Sequence, residues 1–240
     1  MIFLEYSTKR NHLFFFFFFF LFIQLAVALT RDIDLGVIIG AFSGPTFLTM
    51  KNTINQMIDH YGTTNARYSL ITIGSDAKTE IAFSDDYNNT QGFKNRVSET
   101  KRPLGSPDLK RALDAARRGF AEVASSRPGA KKILIVMIDQ KSVNYPQVLS
   151  ASAKRFEEAG ILVVPVAVGS LANVDELTRI VPSNGVVIKV SSNDDPAVIA
   201  QKIMGGAVNG GCFRCFLLLF FFYILFLFLV FSLLFYCQKE

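Results

Sequence analysis

Three short, uninterrupted apolar runs constrain this chain more than anything else in it: Leu35–Ala41, Ile133–Ile138 and Ile161–Val168. None alternates polar with apolar residues, so none is a strand with one wet face. Such runs are expected where parallel strands are buried on both sides, and they demand a covering layer above and below. The intervening sequence supplies that cover. Phe47, Met50, Ile54, Met57, Ile58 and Tyr61 recur at helical spacing and stop at Gly62. They form one apolar face of an amphipathic helix. Leu109, Ala112, Leu113, Ala116, Phe120 and Val123 form a second such face.

The remaining elements fall between these. Arg67–Gly74 reads as a strand, and Lys78–Ser84 follows after the short turn Ser75-Asp76-Ala77, so the two are expected to form a hairpin. Asp86–Thr100 is polar and carries a short helix. Pro107 suits the first turn of the helix through Leu109, with Ser106 as its N-cap. Pro146–Ala159 is helical and ends at Gly160. Val174–Val181 is a short helix, Gly185–Val190 a strand, and Pro196–Met204 a closing helix. Alternating strands and helices predict an α/β domain with a mostly parallel sheet, one antiparallel edge strand and helices on both faces.

Both ends of the chain differ from this middle. Lys9 and Arg10 precede an apolar run from Leu13 to Ala28 that closes on Ala26-Val27-Ala28. This reads as a signal peptide over residues 1–29, with an uncleaved membrane anchor as the alternative. The domain then occupies residues 30–209, and residues 210–240 form a membrane-proximal segment, a transmembrane helix at about 216–236 and a short tail. Phe216 to Tyr236 carries no charge in 21 residues, about 30 Å of helix, enough to cross a bilayer. A lipid-anchor signal at Asn209-Gly210-Gly211 is the second reading, weakened by the missing polar spacer. The expectation is a single-pass type I protein at the cell surface, or a secreted one if the C-terminal segment is not genuine. Phe, Leu, Ser, Tyr and Cys share thymine-rich codons, so translated non-coding sequence also fits either end.

Cys212, Cys215 and Cys237 are the chain's cysteines, so the middle has no disulfide. Cys212 and Cys215 have CxxC spacing, but no second pair or His completes a zinc site. Asn88-Asn89-Thr90 makes Asn88 a glycosylation candidate. The middle retains 21 basic and 18 acidic residues, a net +3, too mild to argue for nucleic acid. Enzyme chemistry finds few parts. Gly40-Ala-Phe-Ser-Gly44 lacks the spacing of a dinucleotide fingerprint, a P-loop or a nucleophile elbow. His60, the one His of the middle, sits at a helix end, where a surface or cap role is expected.

Several stretches, in order, resemble the von Willebrand factor A family: Asp34-Leu-Gly-Val-Ile-Ile, Phe47-Leu-Thr-Met-Lys-Asn-Thr-Ile, Arg67-Tyr-Ser-Leu-Ile-Thr-Ile-Gly-Ser-Asp, Leu109-Lys-Arg-Ala-Leu-Asp-Ala-Ala, Lys131-Lys-Ile-Leu-Ile-Val-Met-Ile-Asp and Gly160-Ile-Leu-Val-Val-Pro-Val-Ala-Val-Gly followed by Asn173-Val-Asp-Glu-Leu. The resemblance implies a Rossmann-like, doubly wound fold. It also implies a metal site built from Asp-x-Ser-x-Ser in the first loop, Thr in the second and Asp in the third, suited to Mg²⁺.

This chain departs from that pattern. No Asp or Glu occurs from Leu35 to Ile58. Counting from Asp34 puts Gly40 at the Asp position and Phe42 and Gly44 at the Ser positions; counting back from Phe47 offers Ser43 as one ligand. Pro107 takes the Thr position, with Ser106 or Asp108 available only if the loop slips. Asp139 is present, followed by Gln140 instead of Gly. Ser43 and Asp139 are thus remnant candidates, and Asp139 is expected to serve as a loop cap. The sequence predicts no metal and no cofactor, with Mg²⁺ possible only if an altered site survives, and no enzyme.

The function expected is an extracellular, membrane-anchored module that binds a protein or matrix ligand without metal, through a loop face containing Phe42, Ser43, Ser106 and Asp139. Phe42 either projects as an apolar anchor or turns inward to fill the space of the lost site. The alternatives are cation-dependent adhesion at Asp139, an enzyme or nucleotide binder using the crevice, and an array or coat protein.

Overall fold

The computed structural model describes residues 32–85, 89–144, 146–181 and 185–209. The signal peptide, the transmembrane segment, the three cysteines and Asn88 lie outside them. Among the described residues, no helix is long and apolar enough to cross a membrane.

Six strands, β1 (Ile33–Gly40), β2 (Ala66–Ile73), β3 (Ala77–Ile81), β4 (Lys131–Ile138), β5 (Ile161–Val168) and β6 (Ile188–Val190), form one sheet in the order β3-β2-β1-β4-β5-β6. All neighbours are parallel except β2 and β3, the antiparallel hairpin at the edge. The helices are α1 (Gly44–Tyr61), α2 (Thr90–Glu99), α3 (Leu109–Ala124), α4 (Pro146–Glu158), α5 (Val174–Thr178) and α6 (Pro196–Asn209).

Side chains alternate across the strands and build two cores. Val37, Ile39, Ile135 and Met137 pack beneath α1, α2 and α6, with Phe47, Met50, Ile54, Phe93 and Ile199. Ile38, Leu134, Val136 and Ile138 pack on the opposite face with Leu113, Phe120, Leu149 and Phe156 of α3 and α4. Of the apolar face predicted for the first helix, Phe47, Met50, Ile54, Met57 and Ile58 are buried and Tyr61 is half-buried at its end, while Leu48 lies off that face and is exposed. This is the doubly wound α/β arrangement that the apolar runs require.

Several boundaries differ from expectation: β3 spans Ala77–Ile81 instead of Lys78–Ser84, and α6 runs on to Asn209 instead of stopping at Met204. Asp108, not Ser106, caps α3: its Oδ1 accepts the Arg111 N–H at 3.2 Å, and its own N–H is fixed to the Gly74 carbonyl at 2.9 Å. Pro107 therefore precedes the cap instead of opening the helix. Helix α5 stops at Thr178 because its last turn tightens into i→i+3 bonds through Arg179, Ile180 and Val181. Strand β6 is confined to Ile188–Val190, where it pairs with Val166–Val168 of β5.

At the N-terminal end of the sheet, Asp34 is fully buried and pairs with Arg127, Oδ1 to Nη1 at 2.9 Å. Arg127 also donates to the Asn65 carbonyl and pairs with Asp32, joining β1 to the turns before β2 and β4. The second Asp34 oxygen has no hydrogen-bond partner. Burial raises the Asp34 pKa, with Arg127, then Arg67 and Lys132, opposing that rise.

Candidate functional site

In a doubly wound sheet, the crossovers leave in opposite directions from two adjacent central strands, and a crevice opens at their carboxyl ends. Here those strands are β1 and β4, whose last residues Gly40 and Ile138 are paired. The loops beyond them carry Phe42, Ser43 and Asp139, and the loop leading into α3 joins them.

Phe42 links all three loops through its peptide groups. Its N–H donates to both carboxylate oxygens of Asp139, at 2.8 Å to Oδ1 and 3.0 Å to Oδ2. Its carbonyl accepts from Arg102 Nη1 at 2.7 Å. The Asp139 N–H returns to the Gly40 carbonyl at 3.3 Å. Asp139 is buried, and that burial raises its pKa; the N–H groups of Phe42, Ser43 and Asp139 itself, then the charge of Arg102, pull it back.

Ser43 is the N-cap of α1. Its Oγ accepts the Thr46 N–H at 3.1 Å and shares a 2.6 Å hydrogen bond with Thr46 Oγ1. The sequence offered Ser43 as a metal ligand; its hydroxyl is instead engaged in starting the helix, as a Ser before a proline-containing first turn should be.

The second and third loops are also joined directly. Val143 N–H donates to the Pro107 carbonyl at 3.0 Å, and Asn144 bridges Asp108 Oδ1 and the Lys110 N–H. Ser142 N–H donates to the buried Glu176 at 2.9 Å. Pro107, at the expected Thr position, is buried and offers only its carbonyl; Ser106 is exposed. Gly74 lets the second loop close down: a Cβ there would strike the Leu104 backbone.

These residues do not fit a divalent cation in this arrangement. A Cβ at Gly40, the position that counting from Asp34 assigns to the family's Asp, would lie 2.6 Å from Ile73 Cγ2 and 3.1 Å from the Ile73 carbonyl oxygen. Both Asp139 oxygens accept the Phe42 amide, and Ser43 is engaged with Thr46. Among the described residues, no group of three or more His, Cys, Asp or Glu gathers to hold a metal.

The face has instead an apolar exterior. Phe42 projects into solvent at 65% exposure, joined at the same end of the sheet by Leu104 at 74%, Val143 at 60% and Leu171 at 72%. Of the two placements open to Phe42, the outward one is realised, with its amide turned inward. The structure thus unites Phe42, Ser43 and Asp139. Ser106 shares their end of the sheet, in the loop into α3. Sequence reasoning missed Arg102, Leu104, Val143 and Leu171. A basic Lys101-Arg102 pair just before Pro103 was the available signal for Arg102. His60 is exposed at the end of α1, edge-on to Tyr61. A groove of about 390 Å³ lies toward the opposite end of the sheet, lined by Arg117, Phe120, Lys132, Arg155 and Ile161 among others.

A family model described as the von Willebrand factor type A domain matches residues 40–202. Proximal thread matrix protein 1 from the mussel byssus superposes with a TM-score of 0.63 at 17% identity, over 74% of this chain and 48% of that one. The same protein with zinc occupying its MIDAS motif gives 0.60 at 17% identity, over 72% and 45%. An aerotolerance-related membrane protein from Bacteroides fragilis gives 0.58 at 17% identity, over 73% of this chain and 98% of that one. This chain spans about half the length of the byssus protein, and at these identities the likeness is one of fold.

Proposed function

Because this chain belongs to the von Willebrand factor type A family, whose domains are generally non-enzymatic interaction modules, we propose that it binds a protein or matrix ligand through its loop face without a metal. The carrying observation is the Phe42 peptide, which takes both oxygens of Asp139 at the centre of that face. We place the module outside the cell, held at the membrane by the segment after residue 209, as the apolar ends of the sequence suggest. The outward Phe42 side chain supplies the kind of apolar anchor on which binding energy concentrates.

The test is thermal unfolding of the full chain in EDTA and then in millimolar Mg²⁺, Mn²⁺ or Ca²⁺. A bound cation well above its Kd raises stability by about 3–4 kcal/mol, so an unchanged midpoint supports metal-independent binding. The second reading, cation-dependent adhesion at an altered site around Asp139, has the zinc-occupied MIDAS of the byssus protein in its favour. It predicts a midpoint shift that disappears in Asp139→Ala. Surface biotinylation of intact cells, with and without permeabilisation, tests the location.

A further inference from the structure

We propose that the groove between the last turns of α3 and α4 binds an organic phosphate monoester, with Arg117, Lys132 and Arg155 holding the dianion and Phe120 and Ile161 beneath its organic body. The groove lies at the opposite end of the sheet from Phe42, so this inference goes beyond the loop-face reading and depends on no part of it.

Small side chains open the groove. Phe120 and Phe156 seat α3 and α4 on the sheet. Near the helix ends, Ala121, Ala124 and Ala159 leave about 390 Å³ open above Phe120 and Ile161, which are both buried. That is room for a small organic molecule, since ligand pockets run from about 300 to 1,000 Å³.

The charge of the groove is unbalanced. Arg117, Lys132, Arg155 and Glu158 line it, three positive and one negative, a net of +2. Among the described residues the three cations make no ion pair, and Glu158 is 4.0 Å from Lys154 at the rim. Lys132 acts on Asp34 from a distance, but Asp34 is fully buried and paired with Arg127 at 2.9 Å, which also takes Asp32. The other acids of the two helices are directed elsewhere. Asp114 pairs with Lys110 at 2.6 Å, and Glu122 lines a separate cavity with Arg118. Glu157 is about 200° round α4 from Arg155. Helix ends explain one cation of the three. Arg155 is in the last turn of α4, where the helix dipole is negative. Arg117 stands about two turns before the end of α3, beyond the reach of that effect, and Lys132 is in a strand.

A phosphate monoester carries about −1.5 to −2 at pH 7, which meets the net charge of the groove; a carboxylate or a sulfonate leaves half of it unmet. Two guanidinium forks on neighbouring helices suit phosphate oxygens, which accept their N–H groups in pairs. The experiment titrates the full chain, held in phosphatidylcholine nanodiscs, with phenyl phosphate by calorimetry, and with benzenesulfonate as a monoanion of similar shape. Arg117→Gln and Arg155→Gln each remove one fork. Both side chains are exposed, and unchanged unfolding midpoints show that the variants are folded. Arg118→Gln removes the same charge from the next position, which lines the other cavity.

The expected result is phenyl phosphate binding at least tenfold tighter than benzenesulfonate. It should weaken at least tenfold in Arg117→Gln and in Arg155→Gln, and stay unchanged in Arg118→Gln. Affinity should also fall as pH is lowered through about 6, where the phosphate takes its second proton. No His lines the groove among the described residues, so that fall belongs to the ligand. Glycerol 3-phosphate and dihexanoyl phosphatidic acid separate the two sources of such a group. Tighter binding of the first makes the ligand a free metabolite, and of the second a lipid headgroup; either supports the site if Arg117→Gln abolishes the binding. No binding of any phosphate, equal binding of benzenesulfonate, or an equal loss in Arg118→Gln overturns the proposal. Phe42→Ala should leave phosphate binding unchanged, so this site and the loop face fail by different results.

Discussion

The Asp139 carboxylate straddles the Phe42 amide, both oxygens within 3.0 Å of one nitrogen across 97 residues of sequence. A single N–H cannot use two acceptors at full strength, but the arrangement leaves neither oxygen bare in a buried position. Asp139→Ala removes the acceptor and leaves the Phe42 N–H unpaired, at a cost of about 1–3 kcal/mol. Urea unfolding of the variant measures this. The loss should be the same in EDTA and in Mg²⁺, and a loss seen only in Mg²⁺ would contradict a purely structural role. Asp139→Asn keeps an acceptor and should lose less.

Burial raises the Asp139 pKa above its ordinary 3.8. The folded state therefore holds its proton at pH values where the unfolded chain has released it. Stability from this group falls as pH rises from the ordinary value through the raised one, and the penalty is complete above that. Relative to Asp139→Asn, the wild type should gain stability as pH is lowered from 7 toward 4. Comparing the two urea midpoints across that range cancels the titrations they share. A gap that stays constant, or moves the other way, would count against the assigned direction.

Placing an Asp at Gly40, the family's Asp position when counted from Asp34, should not restore a metal site. The added Cβ would sit 2.6 Å from Ile73 Cγ2, an overlap the core relieves only by moving, typically at about 1–3 kcal/mol. Gly40→Asp is expected to lower the unfolding midpoint and show no response to Mg²⁺ or Mn²⁺. Adding Ile73→Ala tests whether space is the obstacle. If the single variant binds cation tightly, the crevice is more open than the Ile73 contact implies.

Phe42→Ala should separate binding from stability. The side chain is 65% exposed while its backbone makes the links, so a surface substitution should stay within about 0.5 kcal/mol. Partner binding should fall steeply, read as loss of the variant's adhesion to surfaces coated with extracellular matrix protein on which the wild type is retained. A strongly destabilised variant would show that the ring packs more than its exposure suggests.

Arg127→Gln should be the most damaging of these changes. It leaves Asp34, fully buried, without its ion pair. Breaking a buried pair from one side costs about 3–5 kcal/mol. The double variant Arg127→Gln, Asp34→Asn should recover part of that loss, since the stranded charge is gone; no recovery would assign the damage to the lost Asn65 contact instead.

Much of the architecture is legible in the sequence because burial writes itself as pattern. The run Ile133–Ile138 could only be a central strand, and β4 lies between β1 and β5. The spacing of Phe47, Met50 and Ile54 likewise specified the face of α1 that meets the core. The cap of α3 was misplaced because Ser106 and Asp108 are equally good N-caps by type. The choice between them was made by the Gly74 carbonyl, held in a distant strand end. The loop face was readable in part, as lost ligand positions and as Asp139 in the role of a loop cap. The absence of acids from Leu35 to Ile58 is visible in one dimension, and Asp139 was read as a cap on backbone N–H groups, but that the amide it takes is that of Phe42 leaves no residue signature. Arg102 was missed because the Lys101-Arg102 pair signals only a charge; its partner is a carbonyl, and every residue has one.

Helix α6 begins beyond β6, near the start of α1, where Thr49 Oγ1 reaches the Ser192 carbonyl at 3.1 Å. Fourteen residues carry the chain about 21 Å back along the sheet, toward the end where Asp32 meets Arg127. The described polypeptide thus enters and leaves by the same pole, opposite Phe42. A tether joined to either terminus holds the domain from below, like a stem, and the Phe42 pole is the part that an approaching surface meets first.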